Sequence, residues 1–317
     1  MAKRVLVTGV AGFIGSHMAE GLMKKGYKVI GLDNMSTGEK KNIPKGITFI
    51  KGDVTRDADL AKAFKKPLAA VFHIAGCAST IKAFDDPEAD LRTNTQGTVR
   101  VIARCIRHKT PRLLYASSMT AYGNPQKLPV NVDKEIPRPI SYYGISKYSA
   151  ERYVLASGLR KDLGFAFGCT AFRMFNVYGR RQSLTNPYQG VASIFIGNIL
   201  RKEPVKIFGD GEQSRDFIHI SDVVAAWIAG FERKAAIGQV FNLGTGMRIS
   251  VKKLVATDIK AFGFDPKSYP VLYFKTRPGD QRHMQADISK TRRLLKWKPR
   301  MSFEKGMGDV IAWAQGR

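Results

Sequence analysis

Cysteine is scarce in this chain of 317 residues: Cys77, Cys105 and Cys169 are an odd number at wide spacing, with no CxxC pair. That excludes a secreted disulfide scaffold, and a reducing, cytoplasmic setting is expected. No apolar run approaches the roughly 18 residues that a membrane helix needs, so no membrane insertion is expected. The 30 Gly and 14 Pro are scattered without a period, which excludes a collagen-like chain. There is no internal repeat and no low-complexity linker. His73, His219 and His283, with Asp85 and Asp86, lack metal-ligand spacing, and no metal is expected. Acidic residues are few as well, 26 Asp plus Glu against 52 Lys plus Arg, leaving a net charge of +26.

Such an excess attracts polyanions, whether nucleic acid, an anionic membrane or a doubly charged nucleotide. Yet the basic pairs Lys24/Lys25, Lys40/Lys41, Lys65/Lys66, Arg180/Arg181 and Arg292/Arg293 never grow into a run of five or six. A solvated basic surface is expected, and nucleic acid is not an expected partner. At 44% hydrophobic and 25% charged the chain can bury a core, which excludes disorder, and its length holds one large or two modest domains. The basic opening runs straight into VLVTG without a cleavage site, so it reads as the first strand of the fold rather than a leader.

Aliphatic and β-branched runs at 4–9, 27–33, 47–53, 69–76 and 111–118 alternate with helical patterns near 14–25, 57–64, 87–108 and 143–163. Strands apolar on both faces between helices predict a doubly wound parallel α/β sheet of Rossmann type. After about residue 176 the rhythm loosens, with turn-rich stretches at 180–190, 208–216 and 275–281. The expected organisation is a dinucleotide-binding domain over 1–176 and a smaller α/β substrate domain over 177–317, with segments returning to the first and a ligand cleft between them.

Gly9, Gly12 and Gly15 in TGVAGFIGSH follow a strand and open a helix, where bare backbone approaches a pyrophosphate and the helix N-terminus favours its charge. Asp33 ends the second strand, placed to accept hydrogen bonds from an adenosine ribose. Its carboxylate repels a 2′-phosphate, which points to NAD rather than NADP; a nearby base such as Lys40 works against that inference. The GxxGxxG spacing accompanies Tyr143-Gly-Ile-Ser-Lys147, a YxxxK pair on one helix face.

With these motifs the sequence resembles the extended short-chain dehydrogenase/reductase family, and within it the nucleotide-sugar 4-epimerases of the UDP-glucose 4-epimerase type. The resemblance runs through DN (33–34), GDV (52–54), HIAG (73–76), Asn94, SSMTAYG (117–123), YGISK (143–147), FNVYG (175–179), IFGDGEQSRDFIHISDV (207–223), NLGTG (242–246) and RPGD (277–280). It implies that NAD is held by the glycine turn with Phe13 and Ile14, by Asp33, Asn34, Asp53 and Val54, by Ile74, Ala75, Gly76 and Asn94, and by Tyr143 and Lys147. It implies a catalytic set of Ser118, Tyr143 and Lys147. The chemistry is readable too: a phenol of pKa about 10 is a poor base at neutral pH, and the Lys147 ammonium and a positively charged nicotinamide both favour its phenolate.

Relatives that eliminate water carry an Asp-Glu pair after the hydroxyl residue, and decarboxylases carry a Glu two positions on; this chain has Met119 and Thr120. Epimerisation at C4 of a UDP-hexose, glucose/galactose and also the N-acetylated pair, is therefore the expected reaction. The resemblance further implies a substrate site of Ser118, Thr120, Tyr143, Asn176, Phe208, Arg215, Arg277 and Asp280, with the two arginines on the diphosphate. The same resemblance implies that Met284, four residues beyond Asp280, closes the space beside the sugar. UDP-glucuronate 4-epimerisation is the alternative of the same class, though Ser183 replaces its candidate carboxylate-binding arginine, leaving Arg180 or Arg181 as substitutes. An RNA-binding or redox-sensing protein on this fold is the alternative of another class, disfavoured by retention of Ser118, Tyr143 and Lys147. A homodimer is expected, joined through the helices near 87–108 and 143–163.

Overall fold

Strand β1 (Arg4–Thr8) carries Val5, Leu6 and Val7, all fully buried, so both of its faces need cover. Val5 and Val7 point into one apolar cluster with Phe72, Leu114, Phe172 and Trp227; Leu6 points into another with Val71, Leu113 and Tyr115. This alternation requires helices on both sides of a sheet. The computed structural model describes residues 3–188 and 190–316. Its first half supplies α1 (Phe13–Lys24), β2 (Lys28–Asp33), β3 (Thr48–Lys51), α2 (Asp57–Ala63), β4 (Ala70–His73), α3 (Thr80–Asp85), α4 (Pro87–Leu91), α5 (Gly97–Arg107), β5 (Arg112–Ser118), α6 (Tyr142–Gly158) and β6 (Gly168–Met174).

The second half adds β7 (Asn176–Tyr178), α7 (Val191–Leu200), β8 (Val205–Phe208), β9 (Ser214–Arg215), β10 (Phe217–His219), α8 (Ile220–Glu232), β11 (Val240–Leu243), β12 (Ile249–Ser250), α9 (Val251–Ala261), β13 (Val271–Phe274), α10 (Ser289–Leu295) and α11 (Phe303–Gln315). Seven strands form a parallel sheet in the order β11-β6-β5-β4-β1-β2-β3. Its last strand, β11, and the helix α8 that packs against α1 both come from beyond residue 176. A separate core of Phe195, Ile207, Leu254, Phe303 and Met307 unites α7, α9 and α11 around the small parallel pair β8/β13. Among the described residues no helix is long and apolar enough to cross a membrane.

Three expectations differ from the structure in detail. The strands read at 4–9, 47–53 and 69–76 stop at Thr8, Lys51 and His73, because their last residues peel away into the loops that line the cleft. The pattern at 87–108 is interrupted by a wide π-helical turn at Arg92–Gln96, and the one at 143–163 ends at Gly158. Helix α3 was not expected at all; Ser79 caps it, its side chain accepting from Lys82 N.

Helix α6 is fastened to the sheet by a buried ion pair. The Arg173 guanidinium of β6 donates from Nε to Glu151 Oε2 at 2.9 Å and from Nη2 to Oε1 at 2.6 Å. Ser117 Oγ donates to the same carboxylate at 2.6 Å. The guanidinium also lies 4.6 Å from the centre of the Tyr122 ring, whose hydroxyl donates to Asn242 Oδ1 of β11. Both side chains of the pair are almost wholly buried, at 5% and 0% exposure. Arg173→Ala leaves the Glu151 carboxylate without its counter-charge, an expected loss of about 3–5 kcal/mol, read as a lower midpoint in urea unfolding. An unchanged midpoint would show that the pair contributes nothing.

Candidate active site

Between β1 and α1 the chain has no room for a side chain at Gly9 or Gly15. Gly9 turns with φ +72°, and a Cβ on Gly15 would stand 2.0 Å from the Gly9 carbonyl oxygen. Gly12 caps α1 with no side-chain hydrogen bond, so the first N–H groups of the helix are left for a ligand anion. They open into a cleft of about 1140 Å³ that runs along the C-terminal ends of the sheet strands. Asp33 lines the cleft at the end of β2, its Oδ2 accepting from Ala11 N at 2.9 Å and its Oδ1 from Met35 N at 2.8 Å. Each oxygen keeps an acceptor position for a ribose hydroxyl. Lys40 is exposed and lies outside the cleft lining, where Glu39 stands instead. These features fit NAD.

Phe13, Ile14, Asn34, Val54, Ile74, Ala75 and Gly76 also line the cleft. Asp53 and Asn94 do not. Asp53 accepts from Asn34 Nδ2 at 2.8 Å and from Thr55, holding the loop after β3. Asn94 is buried, with its Nδ2 on Asp90 Oδ1 at 2.8 Å. The segment at 74–76 is shaped by Thr8 and His73, for which the sequence suggested no such role. Thr8 Oγ1 accepts from Ile74 N and Ala75 N, both at 3.1 Å, and pairs with His73 Nδ1 at 2.8 Å. With Thr8 thus donating to His73, Nε2 carries the ring proton toward Thr98 Oγ1 at 3.0 Å. Burial pulls His73 down to about 3, so the ring is neutral.

Ser118 ends β5 and Tyr143 lies in the first turn of α6, and both face the cleft. Ser141 caps that turn by accepting from Gly144 N at 3.1 Å. Thr120 donates to Ser118 Oγ at 2.9 Å. Burial pushes the Tyr143 phenol up to about 12, and the Ser118 hydroxyl only partly opposes it. The protein alone thus holds Tyr143 more firmly in its protonated form than expected, and a bound positive charge has to bring its pKa down before the phenolate can act. Lys147, one turn on, is buried with its Nζ 4.5 Å from the centre of the Tyr115 ring. Burial draws it down to about 8, against the opposing charge of Asp90.

At the other end of the cleft Arg215 donates to Asp280 Oδ1 and to Ser214 O, which fixes its guanidinium. Arg277 lies 3.5 Å over the Phe208 ring, itself stacked on Phe274. Asn176 lines the cleft with its Oδ1 shielded and without a partner among the described residues. Met284 is a correction. It is fully buried with Met119, Tyr122, Val130 and Phe175 and does not line the cleft; Met119 and Phe175 stand in the wall before it. A larger residue there overpacks a core rather than narrowing a pocket.

The Asp33 geometry carries a prediction about the cofactor. The wild-type protein is expected to retain NAD(H) in preference to NADP(H), and Asp33→Ala to lose that preference, measured by competition titration. Equal affinity of the unmodified protein for both would refute the role of the carboxylate.

Comparison with known proteins agrees with this geometry. The family model described as "NAD dependent epimerase/dehydratase family" matches residues 5–244. A UDP-glucose 4-epimerase of Mycolicibacterium smegmatis is 33% identical over 99% of this chain and 99% of its own. The solved structure of UDP-glucose 4-epimerase from Thermotoga maritima with UDP-glucose has a TM-score of 0.90 at 33% identity, covering 99% of both chains. That of a UDP-N-acetylglucosamine 4-epimerase from Methanobrevibacter ruminantium, in complex with UDP-N-acetylmuramic acid, has a TM-score of 0.89 at 32% identity, again over 99% of both. This chain belongs to the NAD-dependent epimerase/dehydratase family.

Proposed function

We propose that this NAD-dependent nucleotide-sugar 4-epimerase acts on a UDP-hexose, with UDP-glucose and UDP-galactose as its main pair. The observation that carries this reading is the convergence in one cleft of the glycine turn, the Ser118–Thr120 hydroxyls with Tyr143, and the cations Arg215 and Arg277. NAD, when bound, supplies the hydride acceptor and donor for the sugar carbon. Tyr143 takes the proton of the C4 hydroxyl and returns it, while Ser118 and Thr120 orient that hydroxyl. Lys147 supplies positive charge beneath the phenol.

Epimerisation requires one sugar to present both faces of C4, so the grip has to be on the nucleotide. Arg215 and Arg277 are suited to a diphosphate, and Asn176 lines the same cleft with an unpartnered amide oxygen that can accept from a sugar hydroxyl. Dehydration and decarboxylation lack a carboxylate in the segment after Ser118, where Met119 and Thr120 stand. A neutral sugar is favoured over a uronate. Arg180 is held by Asp309 through Nε at 2.8 Å, and Arg181 donates to Glu20 at 2.6 Å. Ser183 accepts from Asn186 N within its own turn. Arg181 lines the cleft and keeps its Nη1 without a partner among the described residues, so of the two it alone could still meet a sugar carboxylate, and the preference for a neutral sugar rests on Ser183 and on the Glu20 charge beside Arg181.

The exposed face of α4 and α6 supports a homodimer: Leu91, Tyr142, Ile145 and Tyr153 are each about half exposed and form an apolar stripe. Repulsion between two basic subunits is largely screened beyond about 8 Å at physiological salt.

Two measurements test these readings. A panel of UDP-sugars, with the C4 epimers resolved, is expected to show glucose/galactose interconversion without added reductant and much slower turnover of UDP-glucuronate. In the same assay Tyr143→Phe should lower kcat at least about 100-fold while NAD content and Tm stay near wild type; near-normal turnover would assign the proton transfer elsewhere. Light scattering across salt concentrations is expected to give a dimer, converted to monomer by Ile145→Glu with Tyr153→Glu. A monomer throughout would overturn the interface.

A further inference from the structure

Asp90 lies behind the floor of the cleft, 2% exposed, near the end of α4. Its Oδ2 accepts from Ser146 Oγ at 2.5 Å and its Oδ1 from Asn94 Nδ2 at 2.8 Å. Ser146 immediately precedes Lys147. Asn94 sits in the π-helical turn, a widening that recurs at functional sites. Its Oδ1 and the Lys147 Nζ flank one point, at 2.6 Å and 3.6 Å from where a Cβ on Gly76 would stand. That amide oxygen has no partner among the described residues.

The ionisable groups that act on Lys147 come from every element around it: Asp90 of α4, Cys77 after β4, His73 of β4, Tyr115 of β5 and Glu151 of α6, with Tyr143 one helical turn before it. Burial keeps the Cys77 thiol, the Tyr115 phenol and His73 neutral. The Glu151 carboxylate is already matched by Arg173. Among the described residues around Lys147, only Asp90 brings a negative charge without a cation of its own. We propose that Asp90 is the positioning residue of Lys147, a buried counter-charge that acts through Ser146 and Asn94 to keep the ammonium in place beneath Tyr143. This rests on the proposed role of Lys147 in the epimerase reaction.

The sign of the effect follows from the surroundings. Burial draws Lys147 down and Asp90 opposes it; burial pushes Asp90 up, and Ser146, Lys147 and Asn94 oppose that. Asp90→Asn removes the charge and keeps the shape, so the ammonium is lost at lower pH. The test is the pH profile of kcat of the NAD-loaded protein. The alkaline limb should move down by about one pH unit, a roughly tenfold loss on that side, with KM and NAD content little changed. A profile lowered equally at all pH, or superimposed on wild type, overturns the proposal. Should Asp90→Asn not fold, Ser146→Ala serves: losing the hydroxyl that favours the charged carboxylate, it should move the acid limb to higher pH, and an unmoved limb overturns the proposal. Lys147→Met separates the two levels. If that variant stays active, the catalytic reading itself fails; if it is inactive while both other profiles stay put, only the role of Asp90 does.

Discussion

Helix α6 presents two full charges, Lys147 and Glu151, to the interior one turn apart. A charge without a partner at that depth is costly, so each dictates what packs around it. Glu151 calls for Arg173 on β6, and Ser117 on β5 completes its hydrogen bonding. Lys147 sits over the Tyr115 ring, with the charge of Asp90 acting on it. The helix is thereby fixed against the two strands whose C-terminal ends shape the cleft. Tyr143, one turn before Lys147, inherits that position and faces Ser118.

The two ends of the cleft are built on different principles. The cofactor end is backbone: glycines that admit no Cβ, helix N–H groups without a cap, and a loop at 74–76 held by Thr8. The nucleotide end is side chain, with Arg215 fixed by Asp280 and Arg277 stacked on Phe208. A strap joins them. Arg180 reaches Asp309 on α11, while the next residue, Arg181, reaches Glu20 on α1. Arg181 holds φ +68°, a left-handed conformation that costs a non-glycine residue about 1–2 kcal/mol. That conformation lets consecutive arginines point to opposite lobes.

Parallel strands and their helices were legible because buried strands read as continuous aliphatic runs, and the glycine turn because its spacing has a steric cause. Tyr143 and Lys147 were legible as a pair through residue type and spacing, whereas the role expected of Ser118 came from the family resemblance. Thr8, His73 and Asp90 were not: a threonine, a histidine and an aspartate carry no signal of their own, and their partners lie 65, 65 and 56 residues away. Met284 shows the converse. The family resemblance placed it, four residues beyond Asp280, in a pocket wall, but the chain there turns inward and buries it behind Met119 and Phe175.

What the sequence determined by itself is whatever depends on neighbours along the chain: the apolar periods, the turn that only glycine permits, the tyrosine and lysine one helical turn apart. Tertiary structure alone decided which charges are balanced, which side chains reach the cleft and which lie one layer behind it. Those outcomes depend on packing between segments remote in sequence, where a displacement of one side-chain layer turns a ligand contact into core.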